Sequence, residues 1–235
     1  MGQHKTRPRR DPLTVAVCIP TIPGRETWFR RAVASVHAQT RRPDRILVQR
    51  DDARNGAADT RNRLLERADA AGVDVIAWLD DDDWLKPGHI RACMRVLEDD
   101  PSVDLVYPRP VMVGGTDPTA VTHQGVFPVS PWGLRFTPEH AQHIRDMGSF
   151  IPMTHLVRTR AAIAAGGFPE GRTVETNGRI PAPYRYQGED ERYLIAMLDN
   201  GAVFHHLDAK TWCWWKNPQS TAGMPGRPAA KAMIA

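Results

Sequence analysis

Four consecutive aspartates, Asp80 to Asp83, end the apolar run in VDVIAWLDDDDWLKPGHI, residues 73–90. Carboxylates this dense repel one another unless something of opposite sign faces them. The ions that suit packed hard oxygens are Mg²⁺ and Mn²⁺, which commonly share a phosphate-bearing ligand with the protein. One or two aspartates would suffice to cap a helix, so the length of the run favours the ion. An EF-hand is excluded by the missing glycine and distal glutamate. Three other places carry residue types suited to chemistry: Asp51 with Asp52, Glu189 with Asp190 in QGEDERYL, and His205 with His206 in FHHLD.

The elements that position these groups alternate through the first half of the chain. Apolar β-rich runs cover residues 13–19, 45–49 and 73–79, and helical patterns cover 25–39, 57–71 and 87–97. In the third helix Ile90, Cys93, Met94 and Leu97 follow the i, i+3, i+4, i+7 stripe of one buried face. The first and third strands are nearly continuous apolar runs, as parallel strands covered on both faces require. This βαβαβα order predicts a doubly wound α/β sheet, with ligands at the carboxyl ends of its strands. Asp80 to Asp83 then sit at the end of strand three, and Asp51 and Asp52 at the end of strand two.

The second half is less regular. Strands are expected at 103–108 and 109–115, a long loop or lid at 116–138, and a strand within SFIPMTHLVRT, followed by a short helix ending at Gly166 and Gly167. After a second loop at 171–186, residues 188–201 read as a helix closed by Gly201, with acids at its N-terminus complementing the dipole. AVFHHL and TWCWW close the sheet, the latter as a packed aromatic strand with sugar stacking by one tryptophan as a minor alternative.

Length and composition fit one domain. The 235 residues are 41% hydrophobic and 25% charged, an ordinary globular mixture long enough for a substantial core. No stretch approaches the roughly 18 apolar residues of a membrane span, and the basic start MGQHKTRPRRDPL has no apolar segment suited to a signal peptide. Cys18, Cys93 and Cys213 share no metal or redox spacing and read as reduced thiols, so a cytoplasmic protein is expected. The net charge of +4 implies modest attraction to anions, much of it in a solvated tail over residues 1–12. Zinc-finger spacing and an RNA-binding aromatic signature are both missing.

The order of landmarks adds a resemblance. VAVCIPT, a helix ending SVHAQT, RILVQRDD, the helix bearing Arg61 and Asn62, WLDDDD, AAGGFPE (164–170) and GEDERYL (188–194) together resemble family-2-type inverting glycosyltransferases of the GT-A fold, over most of residues 13–216. The implied fold is a Rossmann-like, mostly parallel sheet flanked by helices, with a smaller mixed acceptor-side region. Residues 13–108 would form the nucleotide-sugar half and 109–216 the acceptor half, with 217–235 a tail.

The resemblance implies a nucleoside-diphosphate sugar donor, UDP first, bound with Mn²⁺ or Mg²⁺, and transfer with inversion to an acceptor hydroxyl. Pro20 and Thr21 match the family's first loop. Asp51 or Asp52 matches the acid that accepts a hydrogen bond from a pyrimidine, and Arg61 the arginine that reaches toward the nucleotide. Asp80 would meet the ribose or base, and Asp81 replaces the usual small residue between the acids. Asp82, with Asp83 as alternative, matches the metal position, and His205 or His206 would complete the metal shell, strand alternation allowing at most one of them. Asp190, with Glu189 as runner-up, matches the base that takes the acceptor proton. Lys216 and Asn217 could close over the diphosphate. Ile22 and Pro23 stand where the family often has a base-stacking tyrosine.

Two rival readings remain. A nucleotidyltransferase of related fold would need a Gly-rich phosphate loop after strand one, which is missing, and a non-catalytic binding module would have no need of both acidic groups. The acceptor stays open among a glycan, a protein side chain, a metabolite and a hydroxylated base in DNA.

Overall fold

The computed structural model describes residues 12–113, 136–147, 149, 151–170, 174–175 and 186–215. Its strands are β1 (Val15–Thr21), β2 (Arg45–Arg50), β3 (Val75–Trp78), β4 (Trp84–Leu85), β5 (Leu105–Val113), β6 (Leu156–Arg158), β7 (Val174–Glu175), β8 (Tyr186–Gln187) and β9 (Phe204–Trp215). Its helices are α1 (Glu26–His37), α2 (Ala57–Ala70), α3 (His89–Asp99), α4 (Pro138–Met147), α5 (Thr159–Ala164) and α6 (Glu189–Asp199).

Seven strands form one sheet in the order β2-β1-β3-β6-β5-β9-β4, and β7 pairs antiparallel with β8. β1 runs parallel to β2 and β3, and β5 parallel to β9, while β6 is antiparallel to both β3 and β5, and β4 to the end of β9. Helices cover both faces because side chains alternate along each buried strand. Ala16, Cys18, Ile76 and Trp78 pack with Leu64 and Leu65 of α2 and Tyr193 and Leu194 of α6. Val15, Val17, Ile19, Val75 and Ala77 pack on the other face with Ala32 and Val36 of α1 and Ile90 and Met94 of α3. The doubly wound reading of the first half is therefore the observed architecture, and β3 delivers Asp80 to Asp83 to the edge between the two layers.

The second half differs from expectation in particular ways. The two strands expected at 103–108 and 109–115 are one over the described residues: β5 runs unbroken through Pro108 and Pro110, with its register against β9 shifting on either side of Arg109. Prolines have no N–H for the ladder, so the pair is bulged there instead of broken. The two closing strands are likewise one, β9, 12 residues long. The segment SFIPMTHLVRT yields just the three residues of β6, and α4 was not anticipated. The lid at 116–138, the loop at 171–186 and the tail from Lys216 and Asn217 lie outside the described residues, apart from a few positions at the ends of the two loops. Cys18, Cys93 and Cys213 are free thiols, and burial pushes the Cys18 thiol up to about 12. Among the described residues no helix is long and apolar enough to cross a membrane.

Candidate functional site

The carboxyl ends of β1, β2 and β3 meet at one place. Pro20 and Thr21 end β1, in register with Gln49 and Arg50 of β2. Asp51 follows β2 and is buried, its Oδ1 and Oδ2 accepting hydrogen bonds from the N–H groups of Asn55 and Gly56, each at 2.8 Å. These bonds hold the turn into α2, where Arg54 and Gly56 both adopt positive φ. A carboxylate offers about four acceptor positions, so Asp51 retains capacity for a ligand. Asp52 is exposed and pairs with Arg50 at 2.7 Å.

The four aspartates are engaged differently, although Arg25 approaches both Asp81 and Asp82. Asp80 accepts from Arg61 Nη2 at 2.9 Å. Asp81 is buried, accepting from the Thr21 hydroxyl and from Arg25 Nη1, both at 2.7 Å. It therefore ties β3 to the loop after β1. The Asp82 carboxylate lies 3.9 Å from Arg25, and its carbonyl accepts from Arg31 Nη2 at 2.7 Å. Asp83 is buried and accepts from the Trp215 N–H at 2.9 Å. Burial first, then the charge of Asp80, holds the Asp83 carboxyl well above its ordinary range, with Asp82 adding to the effect and Arg31 opposing it.

Arg61 joins this cluster to the second acidic pair. Its Nη1 donates to Glu189 Oε1 at 2.8 Å while Nη2 holds Asp80, and its guanidinium lies 5.6 Å from the Phe168 ring centre. Burial alone would lower the Arg61 pKa, but Asp80, Glu189 and Asp190 more than offset it and keep it above the usual arginine range. Asp190 is the second residue of α6, with its Oδ1 accepting from the Glu191 N–H at 2.9 Å. A Cβ on Gly188 would lie 2.5 Å from that oxygen, so the glycine leaves room for the carboxylate. Burial raises the Asp190 pKa, as does the charge of Glu189, with Arg61 pulling the other way.

Several contributors were not singled out from sequence. Asn62, next to Arg61 on α2, donates to the Phe168 carbonyl at 2.8 Å and accepts from the Phe168 N–H at 2.7 Å. Gly167 has φ +71°, and a Cβ there would stand 2.6 Å from Asn62 Oδ1. The adjacency of Arg61 and Asn62, with the Gly-Gly-Phe downstream, was the signal available for this clip. Arg25 and Arg31 carried no such signal. Arg31 lies 4.0 Å from the Trp84 ring centre and 4.9 Å from that of Trp215, and Trp215 meets Trp28 edge to face at 5.2 Å. Of the aromatic strand end, Trp212 is buried and stacks with Trp214, as a packed strand requires.

The histidines are placed elsewhere. His205 and His206 pair with Val106 and Tyr107 of β5, which puts them three strands across from β3, about 14 Å at the usual strand spacing. His206 packs against the Tyr107 ring at 5.1 Å. The structure does not bring either to the aspartates, and among the described residues no group of three or more His, Cys, Asp or Glu side chains is arranged to hold an ion.

The glycosyl transferase family 2 model matches residues 29–164, more than half of the chain. Among solved structures, S. aureus TarS residues 1–349 match with a TM-score of 0.60 at 16% identity, covering 86% of this chain and 60% of that one. The same fragment in complex with UDP-GlcNAc matches at TM-score 0.63 and 15% identity (87% and 59% covered), and in complex with UDP at 0.61 and 16% (88% and 62% covered). This chain thus spans about 60% of the length of those fragments. No curated protein matches its sequence. The ordered strand ends, the carboxylate run and the family match agree, and the chain belongs to glycosyl transferase family 2, on a GT-A fold.

Proposed function

We propose that this protein transfers a glycosyl group from a nucleoside-diphosphate sugar, UDP-linked by preference, to an acceptor hydroxyl with inversion. The observation that carries the reading is the Arg61 bridge: one guanidinium contacts Asp80 of the strand-end run and Glu189 of the second acidic pair, so donor-side and acceptor-side carboxylates share one site. The complexes of TarS with UDP-GlcNAc and UDP support the choice of donor.

In this reading Asp51 receives the nucleobase and Asp80 the ribose. Asp81 acts through Thr21 and Arg25, holding the first loop against β3. Asp82 and Asp83 would offer carboxylate oxygens, the ligand type that a hard divalent cation prefers, with the Asp83 carboxyl raised by burial first and then by the charge of Asp80. Mn²⁺ or Mg²⁺ held there would neutralise the diphosphate as it leaves. Asp190 takes the proton from the acceptor hydroxyl while that oxygen bonds to the anomeric carbon, and the electron pair of the breaking bond leaves with the diphosphate. A carboxylate whose pKa is raised by burial is a stronger base once ionised, so transfer should increase with pH as Asp190 loses its proton.

Calorimetry beside a transfer or donor-hydrolysis assay tests this. Asp190→Asn should hold UDP-sugar while its rate falls by about 10²–10⁴-fold, and Asp82→Asn should lose the metal-dependent part of donor affinity. Undiminished donor affinity in EDTA would sink the metal role, and near-parental transfer by Asp190→Asn would sink the base.

A further inference from the structure

Beyond Lys86 the chain leaves the carboxylate run and enters α3. Between α3 and β9 lies a cavity of about 710 Å³ whose lining takes no part in the site above. α3 presents His89, Ala92, Val96 and Asp99 to it, residues on one face, while Ile90, Cys93, Met94 and Leu97 are buried in the core. A helix of 11 residues is about 16 Å long, so the cavity is a groove along the helix. The facing wall comes from Leu207, Lys210 and Thr211 of β9. β9 is bulged there: Leu207 pairs with Pro108 and Lys210 with Arg109, leaving Asp208 and Ala209 outside the ladder. Asp208 pairs with Arg109 at 2.8 Å.

The groove has a cationic rim over an apolar floor. Lys86, Arg91, Arg95 and Lys210 are exposed along it. Asp99 stands against them, 3.4 Å from Arg95, but no ion pair among the described residues joins Lys86, Arg91 or Lys210. Ala92, Val96 and Leu207 are half-buried beneath. At the start of α3, His89 is wholly buried, with Nδ1 2.8 Å from the Thr211 hydroxyl and Nε2 lacking any hydrogen-bond partner. Burial lowers its pKa to about 3, so it pins the helix to β9 as a neutral ring.

Such a lining selects an occupant that carries both acids and aliphatic side chains. The chain's own termini do not qualify: residues 1–12 hold Lys5, Arg7, Arg9 and Arg10 against Asp11, and residues 216–235 hold Lys216, Arg227 and Lys231 with no acid. A second copy would bring its own net charge of +4. Nucleic acid binds single strands on aromatic faces, and no Phe, Tyr or Trp lines the groove. A bilayer surface calls for protruding apolar residues, and this surface is concave. We propose that the α3–β9 groove docks an acidic segment of a partner protein, with its carboxylates on Lys86, Arg91, Arg95 and Lys210 and an aliphatic side chain against Ala92, Val96 and Leu207.

The test is fluorescence anisotropy of the full chain with a labelled peptide of alternating Glu and Leu, about as long as α3. The peptide should bind, and binding should weaken by roughly tenfold or more, over 1.4 kcal/mol, in Arg91→Glu/Arg95→Glu. Ala92→Gln, which fills the floor without changing charge, should weaken it as well and carries the test if the double variant fails to fold. Arg30→Glu/Arg45→Glu makes the same charge change on α1 and β2, outside the groove, and should bind like the parent. No binding by the peptide overturns the proposal, as does an equal loss in the α1/β2 variant. Tighter binding of a single-stranded oligonucleotide, of polyphosphate or of phosphatidylglycerol vesicles with the same dependence on Arg91 and Arg95 overturns it in favour of that ligand.

Discussion

Glu191 lies one residue past the proposed base and has an unusual electrostatic position. Burial, followed by the charge of Asp190, raises its carboxyl from 4.5 to about 7, with a hydrogen bond from the Ser149 N–H opposing the shift. A carboxyl raised in the fold binds its proton more tightly there than in the unfolded chain. Its ionisation therefore costs nothing extra below pH 4.5, costs progressively more between 4.5 and about 7, and costs the full amount above. At 1.36 kcal/mol for each tenfold change, that amount is about 3 kcal/mol. Glu191→Gln removes the charge and keeps the oxygen that accepts from Ser149. The variant should equal the parent in thermal melts near pH 4.5 and exceed it near pH 8.5 by roughly 6–12 °C, taking 2–4 °C per kcal/mol for a chain of this size. A gap of the same size at both pH values would mean packing, not ionisation, sets the difference. No gap at pH 8.5 would refute the burial of this charge.

Gly188→Ala should leave donor affinity intact and lower transfer about 100-fold, since its Cβ would stand 2.5 Å from Asp190 Oδ1 and displace that carboxylate from its place; a parental rate would show that Asp190 has room to move without consequence. Arg61→Met leaves Asp80 and Glu189 without their shared cation and should cost about 3–5 kcal/mol in urea denaturation at neutral pH. A loss of about 1 kcal/mol or less, the worth of an exposed pair, would show that the bridge is solvated and does not hold the two carboxylates together.

Much of the first half was legible because local patterns there coincide with burial. Val15 to Ile19 and Val75 to Leu79 read as doubly covered strands and are so, with exposures at or near zero. The stripe Ile90, Cys93, Met94, Leu97 names the buried face of α3. Strand boundaries failed at Pro108 and Pro110, which punctuate a sequence but here mark a bulge inside one long strand. Among the site residues, the aspartate run and the Glu189–Asp190 pair stood out by type, yet their individual partners did not. Asp81 differs from Asp80 and Asp82 because Thr21 and Arg25, 60 and 56 residues away, reach it alone at hydrogen-bond distance. No local pattern encodes such a contact. Likewise the position of His205 and His206 depends on how many strands separate β9 from β3, a count that alternation along one strand does not contain.

Asp51 clamps the backbone at the entrance to α2, and Arg61 and Asn62 stand ten and eleven residues downstream, facing the carboxylates and Phe168 respectively. Each residue of a helix turns about 100° from the last. Gaining or losing one residue between Asp51 and Arg61 would therefore swing the guanidinium off Asp80 and Glu189 and detach Asn62 from Phe168 at the same stroke. The stretch behaves as a geared shaft: its teeth are the two N–H groups held by Asp51, and its output is the angle at which Arg61 meets the acids. Sequence can drift along its exposed face, but its length cannot change without a compensating change at the other end.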